Sequence, residues 1–210
     1  MKRSKQKQVF LKSRNKSAAQ PKNAKRVGVI RLIAGQWRGR KLPVLPLTGL
    51  RPTPDRVRET LFNWLQGDLY QARCLDLFAG SGALGFEAIS RGAANVVMVE
   101  KNRLAAQQLA DNITLLKTEQ IQLQQGDAYD YLKITSQTFD IIFLDPPFHN
   151  NHIEALLAEI MQRKLLNPQG LIYLEYESEI ALDLSKWSLK PIKQTQAGQS
   201  QAVLLSYLRC

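Results

Sequence analysis

From Cys74 onward, short apolar runs alternate with amphipathic ones, and this alternation constrains the fold more than any other feature of the chain. Cys74–Phe78, Val96–Glu100, Ile121–Gln125, Phe139–Leu144 and Gly170–Tyr176 have the length and composition of strands. Between them, helices are predicted over Leu84–Ser90, Leu104–Leu116, Ala128–Lys133 and Ile153–Lys164. Strands that alternate with helices build an α/β fold, a mostly parallel sheet covered by helices on both faces. The end of the chain differs. Trp187–Gln194 and Ala202–Leu208, separated by Ala197-Gly198-Gln199-Ser200, predict an antiparallel hairpin closing one edge. No internal repeat is present.

The part before this pattern divides in two. Residues 1–26 carry ten Lys and Arg among Ser, Gln, Asn and Ala, with little to bury beyond Val9-Phe10-Leu11. Such a segment is expected to be a disordered basic arm. Residues 27–67 form an extension: strands over Val29–Ala34 and Lys41–Leu45 joined through Gly35-Gln36-Trp37-Arg38-Gly39, then a helix beginning at Arg51-Pro52-Thr53-Pro54-Asp55. Thr53 can cap that helix, Pro54 fits its first turn and Asp55 favours the positive end of its dipole. Its apolar stripe is Val57, Leu61, Trp64 and Leu65, with Arg56, Thr60 and Asn63 on the polar side. Residues 68–210 then form the sheet domain.

Charge is distributed unevenly. Fifteen Lys and Arg precede Asp55, the first acid, whereas the remainder holds 14 bases against 18 acids. The net charge of +11 therefore belongs to the first quarter of the chain. A field of that kind suits a polyanion, whose neutralised phosphates release condensed counterions. Two distant cysteines, Cys74 and Cys210, indicate free thiols in a reducing compartment. No apolar run approaches the roughly 18 residues of a membrane span, and no secretory h-region opens the chain, so the cytoplasm is the expected location.

Gly80-Ser81-Gly82-Ala83-Leu84-Gly85 follows a strand and opens a helix, and Glu100 stands at the tip of the next strand. Glycines let a ligand approach the backbone, and a carboxylate at that tip can accept from both ribose hydroxyls. Two further acids choose among ribose-bearing ligands. Asp76, four residues before Gly80, would repel a pyrophosphate but attract a cationic amino-acid end. Asp127, in Gly126-Asp127-Ala128 at the third strand tip, can accept a proton from an adenine amino group. Together they favour S-adenosylmethionine over a dinucleotide. Leu77-Phe78-Ala79-Gly80-Ser81-Gly82 also resembles the glycine loop of class I methyltransferases that act on base amino groups.

Phe139–Leu144 delivers Asp145-Pro146-Pro147-Phe148 to the same crevice. An exocyclic base amine is a poor nucleophile because its lone pair is delocalised into the ring. Acceptors for both its hydrogens draw it toward a tetrahedral shape. Asp145 can supply one and the Pro146 carbonyl the other. Pro146 and Pro147 fix φ and remove N–H donors, and Phe148 offers a face on which an extruded or unpaired base can stack. The sulfonium is already an activated donor, so orientation and charge provide the acceleration, and no metal is demanded.

Four motifs in order, Gly35–Pro43, Arg51–Asn63, Asp76–Gly82 and Asp145–Phe148, resemble the RsmD-type small-subunit rRNA guanine-N2 methyltransferases over about residues 29–208. The resemblance implies a seven-stranded class I fold and methylation of guanine 966 of 16S rRNA in an assembling small-subunit particle. It also implies that Arg51–Asn63 covers the cofactor, with Thr53 and Arg56 near its carboxylate. The residues alone reach base-amino methylation but not guanine over adenine. A DNA adenine methyltransferase shares the catalytic loop yet usually carries a large recognition domain, for which there is no insertion here. A non-catalytic RNA-binding assembly factor is the remaining alternative.

Trp37, Arg38, Arg40, Lys41 and Arg51 combine an aromatic with cations and are candidate RNA contacts. Packing of the hairpin on the domain with solvated charges is the equal alternative. The Lys101 stem can cover an adenine, whereas Tyr129 and Tyr131 read as packing residues. His149 follows the catalytic loop and could touch RNA; His152 suits a helix start. A monomer without membrane contact is expected.

Overall fold

The computed structural model describes residues 28–47, 53–147 and 153–208. Arg51, Phe148, His149, His152, Cys210 and the arm of residues 1–26 lie outside them. A two-stranded antiparallel hairpin comes first, β1 (Gly28–Arg31) and β2 (Lys41–Val44), and leads to α1 (Asp55–Trp64). The sheet domain then runs β3 (Arg73–Asp76), α2 (Ala83–Ser90), β4 (Asn95–Glu100), α3 (Arg103–Leu116), β5 (Ile121–Gln125) and α4 (Ala128–Ile134). It continues through β6 (Phe139–Leu144), α5 (Ile153–Gln162), β7 (Leu166–Glu177), β8 (Leu189–Ala197) and β9 (Ser200–Tyr207).

The seven strands are ordered β5-β4-β3-β6-β7-β9-β8. The first five are parallel, and β9 joins antiparallel to both β7 and β8. This is the mostly parallel α/β sheet expected from the alternation, with the seven strands of the class I fold that the resemblance implies. The chain builds outward from β3 to β5, then returns to place β6 on the other side of β3. Strand order thus reverses between β3 and β6, and ligands of such sheets bind outside the carboxyl ends there.

Side chains alternate across the sheet and divide the core. Cys74, Met98, Ile141, Phe143 and Tyr173 face a cluster completed by the hairpin and α1–α3, through Ile30, Leu42, Phe62, Phe86 and Leu109. Leu75, Val97, Ile142, Leu144 and Leu174 face the other, completed by α4 and α5 through Leu132, Leu156 and Ile160. The extension therefore shares one apolar core with the sheet. Asn102 caps α3 by accepting from the Leu104 and Ala105 amides, and Asp127 caps α4 through Tyr129.

Four local expectations change. Thr53 does not cap α1: Pro54 occupies that position without a side-chain bond, and the Thr53 hydroxyl points elsewhere. The buried side of α1 is Arg58, Leu61, Phe62 and Leu65, while Val57 and Trp64 are half-buried. The helix is covered on two sides, by the hairpin and by α2, so a single stripe underestimates what it buries. Finally, β7 starts at Leu166 rather than Gly170, because Phe139 pairs with Leu166 ahead of a register shift. A 3-10 turn at Leu184–Trp187 takes the residues before β8, where a strand was expected from Trp187.

Candidate active site

The carboxyl ends of β3, β4 and β6 converge on one crevice, and each delivers a carboxylate. Asp76 ends β3, fully buried, and accepts from the Gly85 amide at 3.1 Å. That approach needs glycine. A Cβ at Gly85 would stand 2.3 Å from the Met98 methyl and 3.2 Å from the Asp76 carboxylate itself. Gly82, the residue before α2, has φ +78, and a Cβ there would meet Phe86 at 2.4 Å. The glycine turn thus serves both close helix packing and the crevice. Glu100, at the tip of β4, accepts from the Gly80 amide at 2.8 Å and the Asn102 amide at 2.6 Å. Two backbone donors fix its carboxylate over the glycine loop.

Phe78, Ala79, Gly80, Ser81 and Gly82 form the loop between β3 and α2. Phe78 and Gly80 are half-buried; Ala79, Ser81 and Gly82 are buried. Further along the edge, Asp127 pairs with the exposed Lys101 at 3.1 Å, which holds its carboxyl below the usual range. The Lys101 ammonium is thereby tied to the same carboxylate that stands at the β5 tip. Ala128 is buried beneath it.

Asp145 leaves β6 half-buried, and its Oδ2 accepts from the Thr53 hydroxyl at 3.2 Å. This brings the start of α1 onto the catalytic loop across 92 residues of sequence. Arg56, by contrast, is exposed on the first turn of α1. Burial pushes both Asp76 and Asp145 up to about 7, assisted by Glu100 near Asp76 and by Glu175 and Asp76 near Asp145. Among the described residues, no Lys or Arg forms an ion pair with Asp76, Glu100 or Asp145. Around Asp76, Glu100 and Asp145 the described residues thus gather carboxylates without a counter-cation. Such a place favours a cationic ligand, since an opposite charge restores ionisation that burial disfavours.

Glu175 was not singled out from the sequence. Its signal is parity: on β7 it shares the face of Tyr173, and Tyr173 pairs with Phe143, two residues before Asp145. A second omission is the buried anchor of the extension. Glu87 accepts from the Ile33 and Ala34 amides at 2.8 and 3.0 Å, and from Arg91 Nε at 2.6 Å. Arg58 Nη1 lies 3.8 Å from Glu87, and Arg58 Nη2 donates to Asp55 and to the Arg31 carbonyl.

The candidate RNA residues on the hairpin separate. Trp37 is half-buried against the core, and its amide donates to Ser90 Oγ at 3.1 Å. Arg40 is exposed, and its Nη2 donates to the Leu115 carbonyl near the end of α3 at 2.7 Å. Arg38 and Lys41 are exposed. Tyr131 is buried and Tyr129 packs beside it, as expected. Among the described residues, no helix is long and apolar enough to cross a membrane.

Comparison with known proteins bears on the chain as a whole. A family described as conserved hypothetical protein 95 matches residues 30–206. The protein of Haemophilus influenzae called ribosomal RNA small subunit methyltransferase D is 48% identical over 181 residues, 84% of this chain and 93% of its own. A solved structure from Escherichia coli is 43% identical, superposes with a TM-score of 0.78, and matches over 86% of this chain and 98% of its own. A more distant methyltransferase structure, complexed with SAH, is 17% identical with a TM-score of 0.66 and shares the fold. The arrangement of the glycine turn, the acidic strand tips and the Asp145 loop is thus set in a chain that belongs to the RsmD-type family of methyltransferases.

Proposed function

We propose that the protein transfers a methyl group from S-adenosylmethionine to the exocyclic N2 of guanine 966 in 16S rRNA, within an assembling small ribosomal subunit. At the coarser level it is a small-subunit rRNA methyltransferase with S-adenosylmethionine as cofactor. The observation that supports transfer to a base amino group is Asp145 at the strand-order reversal, bonded to Thr53 beside carboxylates that have no counter-cation among the described residues; the choice of guanine 966 rests on the family resemblance.

The residues present suit this cofactor. Glu100 retains lone pairs for ribose hydroxyls, Asp127 reaches the adenine side, and Asp76 offers a buried anion to the amino-acid end. Bound there, S-adenosylmethionine supplies an electrophilic methyl on a sulfonium. The chain's own part is to hold the amine. With Oδ2 of Asp145 on Thr53, Oδ1 has no bond among the described residues and can accept one amine hydrogen. The Pro146 carbonyl takes the other. Asp145 Oδ1 is also placed to receive the proton that the methylated amine releases. Phe148 stacks the base, and the hairpin with α1 covers the cofactor side. The basic N-terminal quarter holds the RNA backbone.

Asp145→Ala tests the reading. Transfer of labelled methyl to small-subunit particles should fall by about 1,000-fold or more, with cofactor affinity still measurable by calorimetry. Nucleoside analysis should find N2-methylguanosine at the single target position. Full activity in the variant would refute the role of Asp145. Label in duplex DNA instead would favour an adenine-N6 enzyme, and absence of cofactor binding would favour an assembly factor.

A further inference from the structure

The sheet edge reads as a sequence of stations, and the last of them has no assigned role. Asp127 stands at β5, Glu100 at β4, Asp76 at β3 and Asp145 at β6. The next strand outward is β7. Leu144 pairs with Leu174, so Asp145, just past the end of β6, and Glu175, within β7, stand side by side at the same level. Alternation places both on the face of Phe143 and Tyr173. Their proximity is also electrostatic, since the Glu175 charge helps raise the Asp145 carboxyl.

Glu175 is held in place. Tyr173 Oη donates to its Oε2 at 2.9 Å and Ser200 Oγ, from β9, donates to its Oε1 at 2.7 Å. A carboxylate offers about four lone-pair sites, so two bonds leave acceptor capacity free. It has no counter-cation among the described residues. It also lies on the far side of Asp145 from the cofactor stations, where the target base must enter.

A base presented to Asp145 through a C2 amino group shows its N1 position alongside. In guanine N1 carries a hydrogen and N2 carries two, a row of donors. In adenine N1 is a bare lone pair, which a carboxylate repels. We propose that Glu175 accepts the N1–H of the target base and thereby selects guanine over adenine; this rests on the base-methylation reading above. Asp145 and Glu175 then form a paired acceptor edge complementary to guanine's donor edge. A site built to receive a hydrogen bond rejects a ligand lacking the donor strongly, because its own polar group is left unpaired. Tyr173 and Ser200 are positioning residues that keep Glu175 from turning away.

The experiment compares two acceptors: small-subunit particles reconstituted with guanine or with 2-aminopurine at the target. The second keeps the C2 amino group but has no hydrogen on N1. The full-length wild-type protein should prefer guanine by about 100-fold or more. Glu175→Gln, whose amide can donate to a bare N1, should narrow that preference to within about tenfold while cofactor affinity stays within about twofold. An unchanged preference in Glu175→Gln would overturn the proposal. Wild-type transfer to neither particle would remove the base-methylation reading itself, and the proposal with it. Should Glu175→Gln fail to fold by circular dichroism, Ser200→Ala takes its place: the preference should fall several-fold, and an unaltered ratio would count against Glu175.

Discussion

Two clusters of buried charge lie on either side of α2, and they are balanced differently. On one side Glu87, with no exposed surface, meets two backbone amides and the guanidinium groups of Arg91 and Arg58. On the other, two residues earlier on the helix, the Gly85 amide meets Asp76, which has no ion-pair partner among the described residues. The first cluster opposes its own charges within the protein and joins α1 and the hairpin to the sheet domain. The second has no opposing cation among the described residues. A buried charge that the protein neutralises itself serves architecture; one left without a partner marks a binding site.

The largest test of that contrast removes Glu87. Glu87→Ala leaves Arg58 buried, with Nε and Nη1 already lacking hydrogen-bond partners. The expected loss is about 3–5 kcal/mol, or a melting temperature lower by on the order of 10 °C. Asp55→Ala, acting on a carboxylate 64% exposed, should cost under about 1 kcal/mol. Equal effects in the two variants would show that burial does not distinguish these partners of Arg58.

The second cluster should respond to pH in the opposite sense from an ordinary salt bridge. Folding raises Asp76 and Asp145 from 3.8 to about 7, so between those values the folded protein binds more protons than the unfolded chain. Stability of the cofactor-free protein therefore falls as pH rises through that window. Cofactor affinity runs the other way, because a cation binds the ionised carboxylates. S-adenosylmethionine should bind about tenfold more weakly at pH 6 than at pH 7.5. S-adenosylhomocysteine, which lacks the sulfonium charge, should show a shallower slope. Titration calorimetry that found both slopes flat would remove the electrostatic account of the crevice.

The smallest expected effect concerns the one contact described between α1's start and the catalytic loop. The Thr53 hydroxyl lowers the Asp145 carboxyl against the effect of burial. Thr53→Val should therefore move the acid limb of the rate profile upward by a few tenths to about one pH unit. Thr53→Ser should restore it. A profile that stays in place would assign Thr53 to cofactor contact alone.

Much of this arrangement was legible beforehand. The order of strands and helices follows from period and length, which puts Glu100, Asp127 and Asp145 at strand tips and Gly80 in the turn after the first strand; Asp76, expected inside a strand running to Phe78, proves to be its last residue. Glu175 was not visible, since an acid inside Leu-Glu-Tyr-Glu becomes informative only when β7 lies beside β6. Arg58 and Glu87 stayed hidden for a related reason. Each looks like a solvated helix charge until α1 and α2 pack against the hairpin and bury both.

By itself, then, the sequence determined the α/β class, the glycine turn and the carboxylates that follow their strands, because these depend on local period and backbone geometry. Tertiary structure alone decided which charges are paired. That choice rests on distances between residues tens of positions apart, and on how much water packing removes between them. It joined Glu87 to Arg58 and Thr53 to Asp145, left Asp76 and Asp145 without a cation among the described residues, and set Glu175 beside Asp145.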